Sequence, residues 1–308
     1  MSQPQRFLIF SLVLSAGCFA SANDVNRHLE GSYLHKILVL RGFYAGTKLH
    51  YDSSGSVSGG VTGDWTTDGL LRVNKVKVSG DNVKIEADRL LVVSVGRSGL
   101  QIAGDDILNR DKLREKNAKK ALVEIEAELD KSGVTDETVN AAMAKIFLTS
   151  QDSFADAVPE YWRTCITDGM SGKNPNCALS AEMSLAPSMA NPSQKGVPPP
   201  PHNDSGGTRT SVGVFRVGGA VKPPRATYQP DPTFSEPARR VKYQGVTVLA
   251  LIVDADGIPR TIRIQSPVGA GLDEKAVHAV ETWKFKPAQK DGQPVPVAIA
   301  VEVDFHLY

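Results

Sequence analysis

Between residues 36 and 102 apolar and polar side chains alternate in short β-branched runs, broken by Asp52-Ser53-Ser54-Gly55, Thr67-Asp68-Gly69 and Gly80-Asp81-Asn82. A period of two predicts strands over 36–43, 47–51, 70–79, 83–87 and 90–95, joined by tight turns into an antiparallel sheet. Val83, Ile85 and Ala87 face one way and Lys84, Glu86 and Asp88 the other, as in a sheet with one solvated face. The aromatics Tyr44, Tyr51 and Trp65 then fit core or edge packing better than a ligand groove. After Asp106 the period changes. Ala118, Ala121, Leu122, Ile125 and Leu129 recur at helical spacing before Gly133. Val139, Ala142, Met143, Ile146 and Phe147 form a second stripe behind the cap Thr135 and the acidic pair Asp136 and Glu137. A helical segment over 105–183 is therefore expected behind a β-rich domain over 23–104.

From 184 to 216 the composition turns to Pro, Ser, Gly and Asn, including the tract Pro198 to Pro201, which reads as a linker. The pattern resumes over 217–308. Ser235 can cap a helix with Pro237 in its first turn. The run 246–253 is apolar on both faces, Asp254–Gly257 is a turn, and Ile262 and Ile264 alternate with Arg263 and Gln265. Leu272, Ala276, Val277, Val280 and Trp283 define a second amphipathic helix, with Asp273, Glu274, Lys275 and Glu281 expected outward. Val295, Val297, Ile299, Val301, Val303, Phe305 and Leu307 occupy every other place of a last strand. The order αββαβ predicts an α+β fold: a three-stranded antiparallel sheet with two helices on one face. The face of Thr247, Leu249, Leu251 and Val253 is expected to be occluded in the intact protein, by the rest of the chain or by a homodimer partner.

The extreme N-terminus has Arg6, an apolar core over 7–14 and Ala20-Ser21-Ala22 before Asn23, the layout of a secretory signal peptide over 1–22. Two alternatives stay open: lipidation at Cys18 after Leu14-Ser15-Ala16-Gly17, and retention as an uncleaved anchor. Cleavage after Ala22 leaves Cys165 and Cys177, and export to an oxidising compartment makes them a disulfide. Closing that short polar loop contributes on the order of 3 kcal/mol.

Lys+Arg 35 against Asp+Glu 34 leaves a net charge of +1 over 308 residues, which argues against a nucleic-acid binder. A single apolar run excludes a multi-span membrane protein. Candidate chemistry fails position by position. Asn203-Asp204-Ser205-Gly206-Gly207 resembles a serine-protease nucleophile segment but lacks a base. Asp254-Ala255-Asp256-Gly257 lacks the acidic ligands downstream that a calcium loop needs. The histidines at 28, 35, 50, 202, 278 and 306 are scattered. No catalytic residue, metal site or cofactor is expected, and the chain does not read as an enzyme.

The C-terminal motifs are specific. They comprise Tyr228-Gln229-Pro230 before a helix start at Ser235, Lys242-Tyr243-Gln244-Gly245-Val246, and Val253-Asp254 with Asp256-Gly257. Ser266 to Gly271 with Leu272-Asp273, Trp283 with Phe285 and Pro287-Ala288, and Asp291-Gly292 with Pro294 complete the set. From about 217 onward the chain resembles the C-terminal domain of TonB-type energy transducers. That resemblance implies a periplasmic binding module that takes the N-terminal box of outer-membrane TonB-dependent transporters as an extra strand. The docking strand would comprise Val297, Ile299, Val301, Val303 and Phe305, with Gln229 and Pro230 also touching the transporter. Transducers of this type are pulled by inner-membrane motor proteins through an uncleaved helix carrying a histidine. Here no histidine precedes His28, so motor coupling is expected only if the N-terminal helix is retained, with the protein anchored in the inner membrane and facing the periplasm. The alternative is an exported structural or ligand-binding envelope protein, using a TonB-like domain for self-association or other protein contacts.

Overall fold

The computed structural model describes residues 22–103, 122–180 and 213–307. The expected signal peptide, the start of the helix expected from Ala118 and most of the expected linker lie outside the described residues. None of the described helices is long and apolar enough to cross a membrane.

Six strands form the N-terminal sheet: β1 (Ile37–Val39), β2 (Lys48–Tyr51), β3 (Val57–Ser58), β4 (Leu70–Ser79), β5 (Asn82–Leu90) and β6 (Leu122–Glu128), in the order β1-β4-β5-β6-β2-β3. The sheet is mixed rather than wholly antiparallel, because β6 runs antiparallel to β5 and parallel to β2. β6 also replaces the helix expected around Leu122, Ile125 and Leu129. Ile125 and Leu129, four apart, fit both a helical and a strand period, whereas Leu122, three before Ile125, fits only the helix and lies half-buried on the opposite face of the strand. Val123, Ile125 and Ala127 are buried while Glu124 is exposed and Glu126 and Glu128 are half-exposed, which is the period of two. One face of the sheet packs under α1 (Ala22–Tyr33) and α2 (Asp136–Ile146). Thr135 caps α2 in a reciprocal box with Thr138. The other face carries exposed ion pairs such as Lys75 with Glu86 at 3.0 Å and Lys84 with Glu126 at 3.2 Å.

The C-terminal sheet has four strands where three were expected. Its order is β7-β10-β8-β9, comprising β7 (Phe215–Arg216), β8 (Gly245–Val253), β9 (Pro259–Ser266) and β10 (Val297–Phe305). The added strand β7 lies within the expected linker and runs parallel to the start of β10, with Phe215 opposite Val297 and Arg216 opposite Ala298. The inner face holds Thr247, Leu249, Leu251, Val253, Val303 and Phe305, all buried. α4 (Glu236–Arg240), capped by Ser235, and α5 (Leu272–Glu281) belong to this unit.

The hydrophobic core of the C-terminal unit does not stop at its own boundary. Leu249, Leu251, Ala276, Val277 and Phe305 share one buried cluster with Trp65, Leu90, Val92, Phe154, Trp162 and Ile166 of the N-terminal half. Trp65 meets Phe154 and Trp162 edge-on, with centroids 5.4 and 5.1 Å apart. The helix α3 (Glu160–Met170) lies along β9, and Cys165 is joined to Cys177 by a disulfide with a Cα–Cα distance of 5.4 Å. Next to it Asn174 Nδ2 donates to the Gln265 carbonyl at 2.9 Å, so the N-terminal half covers the far side of the C-terminal sheet.

Candidate functional site

Along β10 the inner side of the strand is fully paired with β8, from Val297 opposite Val253 to Phe305 opposite Gly245. The outer side is paired with β7 at residues 297 and 298, and among the described residues no strand pairs with 299–305 there. The direction of the backbone groups follows from one bond. Phe215 N–H donates to the Pro296 carbonyl at 2.9 Å, so residue 296 aims outward. Along a strand the N–H and C=O of one residue share an edge, and the edge alternates. Ala298, Ala300, Glu302 and Asp304 therefore aim outward, and Ile299, Val301, Val303 and Phe305 bond to β8.

The residues expected to bind a partner thus divide by role. Val297, Val303 and Phe305 are buried and Ile299 and Val301 half-buried, all with side chains on the inner face. Phe305 is held by Phe234 edge-on at 5.5 Å. The backbone groups free for an incoming strand belong to the even-numbered residues, which apolar patterning does not single out. The outward face at the same edge runs Ala298, Ala300, Glu302 and Asp304, all exposed. Glu302 sits opposite Val248 and Asp304 opposite Val246. Asp304 Oδ1 lies 2.6 Å from His306 Nδ1.

Gln229 is exposed and follows directly on the strand Arg225–Tyr228, which pairs with Lys284–Lys286. Pro230 is half-buried, and its carbonyl accepts from Trp283 Nε1 at 3.2 Å. These two residues are therefore fixed to the ribbon beside α5, not to the open edge itself. Gly257 closes the hairpin between β8 and β9 with φ 80°, and its carbonyl accepts from Phe285 N–H at 2.9 Å. That is the turn expected in place of a calcium loop, and among the described residues no group of three or more His, Cys, Asp and Glu could hold a metal.

Asp273 and Glu274 overturn an expectation. Both were read as outward, and both are 0% exposed. Asp273 accepts backbone N–H bonds from Val268 at 2.9 Å and Gly269 at 2.6 Å, so it folds the preceding loop onto the start of α5. Glu274 accepts from Trp162 Nε1 at 2.9 Å and from Thr66 Oγ1 at 3.4 Å, both in the N-terminal half. Burial pushes the Glu274 carboxyl well above its ordinary value, and the nearby acids Asp64 and Asp273 push the same way. The loop between β9 and α5 is gripped from the same side. Ala270 N–H donates to the Val92 carbonyl at 2.7 Å, Ser94 N–H to Val268 at 2.9 Å, and Gly271 N–H to Thr66 Oγ1 at 2.8 Å. Gly269 takes φ 91° there, and a Cβ on it would collide with the Val92 carbonyl.

Residues 230–307 match the model of the Gram-negative bacterial TonB protein C-terminal family. The chain is 33% identical to Protein tonB2 of Pseudomonas aeruginosa over 81 residues, which is 26% of this chain and 30% of that protein. It is 31% identical to Protein TonB of Vibrio cholerae serotype O1 over 87 residues, 28% of this chain and 36% of that one. A solution NMR structure of the Pseudomonas aeruginosa TonB CTD aligns with 30% of this chain and 90% of its own, at 17% identity and a TM-score of 0.25. The chain thus spans about a third of the length of the curated relatives it matches. The resemblance read from the motifs is shown where those motifs lie: residues 230–307 carry a TonB-type C-terminal region.

Proposed function

We propose that this chain is a TonB-like periplasmic protein whose C-terminal sheet takes an extended segment of an outer-membrane TonB-dependent transporter beside β10, in support of energy-coupled transport. The observation that carries the reading is the bare outer edge at 299–305, backed by the family match over the same region. An edge strand supplies a row of unpaired N–H and C=O groups, and an extended peptide completes them without any covalent chemistry. Binding and force transmission, not catalysis, are the work this geometry suits.

The test is titration calorimetry of the full chain with a peptide copied from a transporter's N-terminal box. Ala300→Pro removes an outward donor and leaves the β8 ladder intact, so affinity should fall at least about tenfold with an unchanged circular dichroism spectrum. Equal affinity for both proteins would remove the strand-docking reading.

A second reading, an envelope protein without motor coupling, is favoured by the shared core: the TonB-like region is not a free tip at the end of a spacer. The mass of the mature protein discriminates. An N-terminus at Asn23 favours this second reading, and a retained helix in the inner membrane favours the transducer.

A further inference from the structure

We propose that the segment accepted beside β10 is selected by charge: it carries Lys or Arg opposite Glu302 and Asp304, and apolar side chains at the alternate positions. This inference rests on the strand-docking reading and adds to it the chemistry of the partner.

A strand laid along 299–305 presents its residues alternately to the two faces of the sheet. On the inner face it meets Ile299 and Val301, which stay half-exposed because nothing lies beside them, and then Val303 and Phe305. On the outward face it meets Ala300, Glu302 and Asp304. Across β8 the two acids face only Val248 and Val246, and Glu302 has no ion pair among the described residues. Asp304 lies 2.6 Å from His306 Nδ1, and a cation carried by a strand on the open side would stand beside the unpaired Glu302 and this pair.

The molecule already places such a strand on this edge. β7 occupies the two positions before the open stretch, with half-buried Phe215 opposite Val297 on the inner face and exposed Arg216 opposite Ala298 on the outer one. Apolar inside and basic outside is thus the pattern the edge holds where it is filled. β7 also ends the site, leaving seven residues of β10, 299–305, for a partner. A second copy of this chain fits the edge poorly. Antiparallel pairing of two β10 strands about this stretch would set the acids of one copy beside those of the other, and like charges across strands are destabilising.

The experiment uses the full chain and two fluorescently labelled heptapeptides, Val-Lys-Val-Lys-Val-Lys-Val and Val-Glu-Val-Glu-Val-Glu-Val, whose alternation is the same in either direction. Fluorescence anisotropy should show the Lys peptide binding about tenfold more tightly than the Glu peptide. Glu302→Lys with Asp304→Lys should reverse that order. Glu86→Lys with Glu124→Lys, an equal change of net charge on the N-terminal sheet, should leave it as in the wild type. Equal binding of the two peptides to the wild type overturns the charge selection but leaves strand docking standing. Reversal by the N-terminal pair as well overturns it in favour of bulk attraction. Binding of neither peptide, together with no capture of a transporter box, overturns both readings.

Discussion

The N-terminal sheet ends on β3, two residues long, and on β1, which covers only residues 70–72 of β4; beyond β1 the helix α1 lies against β4, and Asn26 Oδ1 accepts from Val78 N–H at 2.7 Å. The C-terminal sheet meets the same hazard differently at its two sides. Along β9 the helix α3 and Asn174 of the N-terminal half cover it, while on the outer side of β10 seven of its nine residues have no neighbouring strand among the described residues. Proteins blunt or cover exposed strand edges because bare ones recruit other chains. Among the described residues the outer side of β10 over 299–305 has neither a strand nor a helix along it, the contrast on which the proposed docking rests.

The two regions nonetheless stand on one buried cluster, and the sharpest way to break the comparison is to remove its centre. Trp162→Ala deletes a buried indole and strips Glu274 of a donor. It should cost about 3–5 kcal/mol and lower the stability of both halves together, seen as a single urea transition by tryptophan and far-UV signals. Two separate transitions in the wild type would show that the regions are independent after all. Next in size, Cys165→Ser with Cys177→Ser should cost about 3 kcal/mol of stability and leave peptide docking unchanged, because the disulfide lies with α3 on the covered side.

A matched pair of prolines sharpens the contrast between the two sides of β10. Ile299→Pro cuts the ladder with β8 and should cost about 3 kcal/mol of stability, whereas Ala300→Pro should leave thermal unfolding nearly unchanged and lower peptide affinity at least about tenfold. If the two variants behave alike, the parity assigned from the Phe215–Pro296 bond is wrong. The smallest effect concerns pH. Glu274 keeps its proton in the folded protein to a higher pH than in the unfolded chain, where the ordinary value is 4.5. Its contribution is therefore fully present below that value and is lost as pH rises through the folded one. Glu274→Gln should flatten this decline in urea midpoints measured from pH 4 to 8, with the variant gaining on the wild type as pH rises.

Much of the C-terminal architecture was legible in the sequence because its signals are local. The alternation from Val295 to Leu307, the Ser235 cap and the Gly257 turn each need only neighbouring residues to be read. Strand β6 was not, because Leu122, Ile125 and Leu129 follow helical spacing and the residues that set the strand face were the smaller Val123 and Ala127. Asp273 and Glu274 could not be placed either. Acidic residues in a first helical turn normally face water, and what buries Glu274 comes from Trp162 and Thr66, positions 112 and 208 residues away. The open edge was half-legible. Its strand followed from apolar alternation, but which residues aim their amides outward depends on β7, a two-residue strand inside a stretch that reads as linker.

Because Gly269 lets the loop before α5 press against Val92, and Trp162 reaches across to Glu274, the two halves hold each other without needing the peptide bonds between them. A protease nick anywhere after Ser180 and before Gly213 should leave two fragments that still travel as one particle through a sizing column.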